Sequence, residues 1–194
     1  PFTDVIEAVV NALDKDKGEE KNANEPAAMH LEERFLQHPA LAIEQSRITI
    51  NSMAADAELN FSGALALLEN YSDEDLAEVQ RMEGMIDRYE DILGTYLVKL
   101  TGRELTGRQS ADVSKFLHTI SDFERISDHA LNVAEAAQEI LQKGITFSGD
   151  ARHELSVLTS ALREILHNAV RAFIMEDLEL AKRVEPLEEL IDAL

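Results

Sequence analysis

The chain of 194 residues has no cysteine. Disulfides and thiolate zinc sites are therefore excluded, and a reducing, cytoplasmic setting fits. Tryptophan is absent too, and glycine and proline number only 8 and 4, too few for a turn-rich β architecture. Cations are scarce: 18 Lys and Arg stand against 38 Asp and Glu, for a formal net charge of −20. Such a chain repels nucleic-acid phosphates and anionic lipid heads, so no nucleic acid and no direct lipid binding are expected. No apolar run approaches the roughly 18 residues needed to span a bilayer. There is no signal-peptide pattern and no initiating methionine, so the chain reads as a fragment or a processed product.

What is abundant is Ala, Leu and Glu, a helical composition. Residues 1–13 (PFTDVIEAVVNAL) are mildly amphipathic, and residues 14–38 are charged at first and read as a linker. A long helix is predicted from Pro39, a favoured first-turn residue, to about Asn70, with a core stripe of Ile50, Met53, Ala57, Phe61, Ala64 and Leu68. Ser72 followed by Asp75 resembles a capping box and opens a second helix to about Leu100. A glycine-containing loop over residues 101–109 precedes a third helix from Ser110 to Lys143. Ser148 or Asp150 caps a fourth helix to about Glu176, and a fifth begins near Leu178. Helices of this length joined by short loops pack as antiparallel neighbours, so the expected fold is an all-α bundle of long helices.

The second helix carries an alternating apolar seam, Val79, Met82, Ile86, Tyr89, Leu93, Tyr96 and Leu100. The third carries Phe116, Ile120, Phe123, Ser127, Ala130, Ala134, Ala137 and Leu141. Seams of this spacing belong to helices crossing at about +20°. One residue past each seam position, about 100° round the helix, stands a row of acids. It reads Gln80, Glu83, Asp87, Glu90 on the second helix and Leu117, Ser121, Glu124, Asp128 on the third. Each row holds a Glu-x-x-x-Asp pair whose carboxylates share a face and repel unless a cation answers them. Val79-x-x-x-Glu83-x-x-Ile86-Asp87 recurs 105 residues later as Val184-x-x-x-Glu188-x-x-Ile191-Asp192. The recurrence divides the bundle (39–194) into a three-helix repeat over 39–144 and part of a second over 149–194.

Two chemistries fit the acid rows. Arg81, Arg88 and Arg125 could neutralise them as an ordinary solvated edge. Alternatively, carboxylates from facing helices could hold an oxygen-loving ion: iron, manganese, magnesium or zinc. A catalytic di-iron bundle needs two Glu-x-x-His motifs, and only Glu164–His167 has that form, so no enzyme is expected. No glycine-rich phosphate loop or nucleophile motif appears either. A purely structural helical scaffold remains a further alternative, against which the recurrence of Glu-x-x-x-Asp on three helices counts.

The segment Glu124-Arg-Ile-Ser-Asp-His-Ala-Leu-Asn-Val-Ala-Glu135 closely resembles the signature of the PhoU family, roughly E-R-I-x-D-H-x-x-N-I-A-E. Glu32-Glu-Arg-Phe-Leu-Gln-His-Pro-Ala-Leu-Ala-Ile-Glu-Gln45 and Tyr96-Leu-Val-Lys-Leu-Thr-Gly-Arg-Glu-Leu105 are similar to the PhoU-like domain appended to bacterial sodium/phosphate cotransporters. The resemblance implies two three-helix repeats and a non-enzymatic regulatory role in phosphate homeostasis. It implies modulation of phosphate transport, or, as the alternative, free-standing signalling regulation. Its partners would be a membrane transporter domain in cis or a transport or signalling protein, with a possible homodimer. Residues 1–13 would lead from a missing membrane domain, leaving the chain cytoplasmic but tethered to the inner face of the membrane. Some relatives carry metal on E(D)-x-x-x-D motifs. By that likeness the ligands are Glu83, Asp87, Glu124 and Asp128, with Glu188 and Asp192 an incomplete second-repeat site. Arg125, His129 and Asn132 belong to the signature.

Overall fold

The computed structural model describes residues 31–192, and all regular structure within them is helical. The expected segment 1–13 and linker residues 14–30 lie outside the described residues. A short 3-10 turn, Glu33–Gln37, precedes α1 (Pro39–Leu67). Then come α2 (Asp73–Thr101), α3 (Gly107–Gln142), α4 (Gly149–Met175), α5 (Leu178–Ala181) and α6 (Val184–Asp192).

The 3-10 turn shows that residues 31–38 are not free linker. Leu36 is buried, with Leu31 and Phe35 packed beside it on the core. The Tyr96 hydroxyl donates to the Glu32 carbonyl and ties this segment to α2.

Local chemistry sets the helix starts. The Ser72 hydroxyl accepts from the Asp75 amide at 3.2 Å, and Ser148 accepts from Ala151 at 3.1 Å. The third helix starts three residues before the expected Ser110, because Thr106 and Gln109 form a full capping box there. The first helix stops at Leu67, short of Asn70. The fifth predicted helix is broken in two. Asp177 caps the four-residue α5 by accepting from Glu179 and Leu180, and a turn at Lys182–Arg183 separates it from α6.

The three long helices α1, α2 and α3 pack on one another most extensively. Their seams meet as predicted: Ile86, Leu93, Leu100 and Ile50 are sealed from solvent, as are Phe116 and Ile120 to within a few per cent. The seam fails only at its far end, where Leu141 is exposed beyond the reach of its neighbours. Two polar links cross this core. The Asn60 amide donates to Ser127 Oγ at 2.9 Å between α1 and α3, both residues being fully buried. The Tyr89 hydroxyl donates to Asp56 between α2 and α1; burial and that neighbouring carboxylate push the phenol up to about 12.

The fourth helix leans on α1, and α5 and α6 pack on α4. Glu176, just past α4, takes a left-handed conformation (φ 53°) and pairs with Arg47. Phe173 meets Phe123 of α3 edge-on, with ring centroids 5.4 Å apart. The architecture is therefore a three-helix unit of α1, α2 and α3, with α4 against α1 and α5 and α6 against α4.

Candidate functional site

The site begins with a register. Helices α2 and α3 run antiparallel, so residues advance in opposite senses along their shared edge. Ser121 Oγ donates to Glu90 Oε1 at 2.8 Å and pins one end of that edge. One turn on, Asp87 stands across from Glu124; one more, and Glu83 stands across from Asp128. The mutual influence of these carboxyls accords with that register. Glu83 feels Asp128 and Asp87, and Glu124 feels Asp128, Glu90 and Asp87.

The four expected acids on α2 and α3 therefore lie along one shared helix–helix edge. Partial burial raises the pKa of Glu83 and of Glu124 above the usual carboxylate range, and the neighbouring carboxylates add to the rise. No cation acts in the opposite direction on either group. The arginines suggested as neutralisers are otherwise placed. Arg81 forms a bidentate pair with Glu78, at 2.6 and 2.8 Å. Arg88 and Arg125 are exposed on the outer faces. The acid edge is a zone of uncompensated negative charge, half-buried at the two glutamates and open to water at Asp87 and Asp128.

Its donor set is entirely oxygen, which suits hard ions such as magnesium, manganese or iron better than zinc. Among the described residues, no three acidic or histidine side chains are gathered closely enough to enclose an ion. The fit is thus one of chemistry and placement: two carboxylates per helix, on facing rows, with flexible glutamates nearest the core. An ion there would be held by Glu83, Asp87, Glu124 and Asp128, and would supply charge neutralisation between α2 and α3.

The remaining predicted residues are not brought to this edge. His129 is exposed, one step further round α3. Asn132 is also exposed and donates to the Asp128 carbonyl of its own helix at 2.9 Å. Glu188 and Asp192 are exposed on α6, which packs on α4 and α5. Two members of the edge were not singled out as site residues. Glu90 and Ser121 stand in the same rows one turn on, and that spacing was the available signal. Beyond them the α2–α3 edge opens into a shallow groove in which Glu90, Asp91, Lys99 and Ser121 stand beside Gly94, Val98 and Leu117.

Among the described residues, no helix is long and apolar enough to cross a membrane. No curated protein and no solved structure matches the chain. A family model does match, over residues 50–137, which run from the middle of α1 through α2 to the end of the acid row on α3. That model is the PhoU domain, so the three-helix unit bearing the acid edge is similar to PhoU domains over those residues.

Proposed function

We propose that this chain is a non-enzymatic regulatory domain of phosphate homeostasis that modulates phosphate transport, with a metal ion held between α2 and α3. The observation that carries the reading is the facing of Glu83 and Asp87 with Glu124 and Asp128, inside the matched residues and without a neutralising cation. Four carboxylates at a helix–helix edge repel one another. A bound ion would turn that repulsion into a clamp, making α2–α3 packing depend on metal. A bundle whose rigidity depends on an ion can transmit a signal through its faces to a partner.

The likeness of residues 32–45 and 96–105 to transporter-appended domains supports a transporter domain in cis as that partner, at the inner face of the membrane. Direct phosphate capture by this segment is disfavoured, since a charge of −20 repels the anion unless a metal intervenes.

The test is elemental analysis of protein purified without chelator, beside the Glu83→Ala/Asp128→Ala double variant. Iron, manganese, magnesium or zinc near one equivalent, lost in the variant, is expected. Trace metal unaltered by the substitutions would count against the site. In cells, the same double variant in the intact gene should alter phosphate uptake. Hydrolysis of a phosphate ester that disappears with Glu124→Gln would instead make the domain an enzyme.

A further inference from the structure

The fourth helix is held to the three-helix unit differently from the way that unit holds itself together. Each of α1, α2 and α3 buries a stripe of side chains along its length. By contrast α4 buries only Thr159, Val170 and Ala172, and α5 and α6 bury none. Among the described residues, α5 and α6 pack on α4 and on each other. The connection from α3, residues 141–150, is exposed throughout and turns at Gly144, whose φ of 63° suits glycine.

A short set of side-chain contacts fixes these three helices in place. Toward α1 they include three ionic pairs: Glu176 with Arg47, His167 with Glu58 at 2.8 Å, and Arg163 with Glu69 at 3.8 Å. Exposed pairs of this kind are weak. Toward α3 the contacts are aromatic and gather in one place. Phe173 meets Phe123 edge-on and takes the Lys115 ammonium over its ring at 5.6 Å. Arg47, while it holds Glu176, lies over the Phe116 ring at 5.3 Å. That place is on the same turns of α3 that carry the acid row. Phe123 directly precedes Glu124, and Ser121 just before it is bonded to Glu90 of α2.

We infer that α4, α5 and α6 form a hinged arm, and that the negative charge along the α2–α3 edge sets how firmly the arm is docked. Repulsion of Glu124 and Asp128 by Glu83 and Asp87 loosens α3 against α2. The Phe123 ring then holds its position less well, and Phe173 loses the fixed seat that an edge-on contact needs. Neutralising the edge steadies α3 and closes the arm. Linkage makes the effect reciprocal, so a docked arm favours whatever neutralises the edge. Such an arm rests on the regulatory reading above for its purpose, but the neutralising group need not be a metal.

The experiment is amide hydrogen exchange, read by mass spectrometry, on the full chain treated with chelator. Amides of α4 should be protected about tenfold less than those of α2, because a partial opening exposes them while the three-helix unit stays folded. Phe173→Ala should lower the protection of α4 by about a further tenfold and leave that of α2 unchanged. Glu83→Gln with Glu124→Gln should raise the protection of α4 by about two- to fivefold. Gly84→Ala, which favours α2 without altering its charge, should leave α4 as it was. Amides of α4 as well protected as those of α2 overturn the arm. Protection of α4 that the glutamine pair does not move, or that Gly84→Ala raises equally, overturns the coupling. No ion is needed for any of these outcomes, so a chain found without metal would count against the proposed ion and not against the arm.

Discussion

Consider Glu124→Gln combined with Glu83→Gln in protein stripped of metal by a chelator. Both carboxyls titrate above their ordinary value in the folded bundle, through burial first and neighbouring carboxylates second. The folded state thus holds its protons to higher pH than the unfolded chain does. Linkage then requires stability to fall as pH rises from the ordinary carboxylate value of 4.5 through the raised folded values. At neutral pH both groups are a cost to folding. Removing them should stabilise the fold there and do little at a pH where all are protonated. Each like-charged pair at helix spacing costs about 0.2–0.5 kcal/mol, and screening limits the exposed Asp87 and Asp128 to the lower end. Glu124 alone has Asp128, Glu90 and Asp87 around it, so the double variant should gain about 1 kcal/mol. In a chain of this size that is a rise in melting temperature of about 2–4 °C. Thermal melts by circular dichroism, across mildly acid to neutral pH and at two salt concentrations, read it directly. The gain should shrink with acid and with salt. A double variant that melts lower at neutral pH would refute the reasoning, because the carboxylates would then be making favourable contacts.

Other expectations follow from the same structure. Adding manganese to the stripped protein should raise its melting temperature, by about 2.7 kcal/mol of stability at a hundred times the dissociation constant, and the double variant should not respond. Ser127→Ala should cost about 1–3 kcal/mol in urea denaturation, since it leaves the buried Asn60 amide without a partner beside a carbonyl oxygen that already has none. Asn60→Leu with Ser127→Ala should recover that loss or exceed it, as replacing both polar partners removes the unpaired atoms together. Gly84→Ala should stabilise by about 0.5–1 kcal/mol, because the site lies inside α2 and an added methyl meets nothing within 4 Å.

The seams of α2 and α3 were legible because burial on both sides leaves nearly every seam residue apolar and regularly spaced; the structure buries Val79 through Leu100 and Phe116 through Ala137 as read. Capping was legible where a single side chain decides it, at Ser72 and Ser148, and missed at Thr106, where the loop composition masked the box. The turn at Lys182–Arg183 carries no glycine or proline itself; its signal is Pro186, whose ring would clash with the Lys182 carbonyl in a continuous helix. The polar links were half visible. Ser127 and Tyr89 stood in the seams, but their partners Asn60 and Asp56 could be paired with them only by knowing how α1 lies against its neighbours. Residues 31–37 looked like linker because they follow the charged stretch and are too short to show a helical period; what folds them is Leu36, with Leu31 and Phe35 beside it, reaching a core made by distant helices.

The two copies of the Glu-x-x-x-Asp pattern show why spacing alone does not make a site. On α2, Glu83 is half-buried and its carboxyl is perturbed, because α3 lies across the edge and brings two more acids. On α6, Glu188 occupies the same offset from Val184 and Ile191 yet is exposed, with α4 on one side and no acid row facing it among the described residues. The same local sequence is therefore a charged surface in one place and a candidate ion clamp in the other. The difference is a facing helix in antiparallel register, held there by Ser121 on Glu90 at one end of the edge and by Asn60 on Ser127 through the core. Shifting α3 by one residue would turn Glu124 and Asp128 away by about 100° and dissolve the edge without touching any acid. The buried Asn60–Ser127 pair is consequently as much a part of the candidate site as the carboxylates whose alignment it supports.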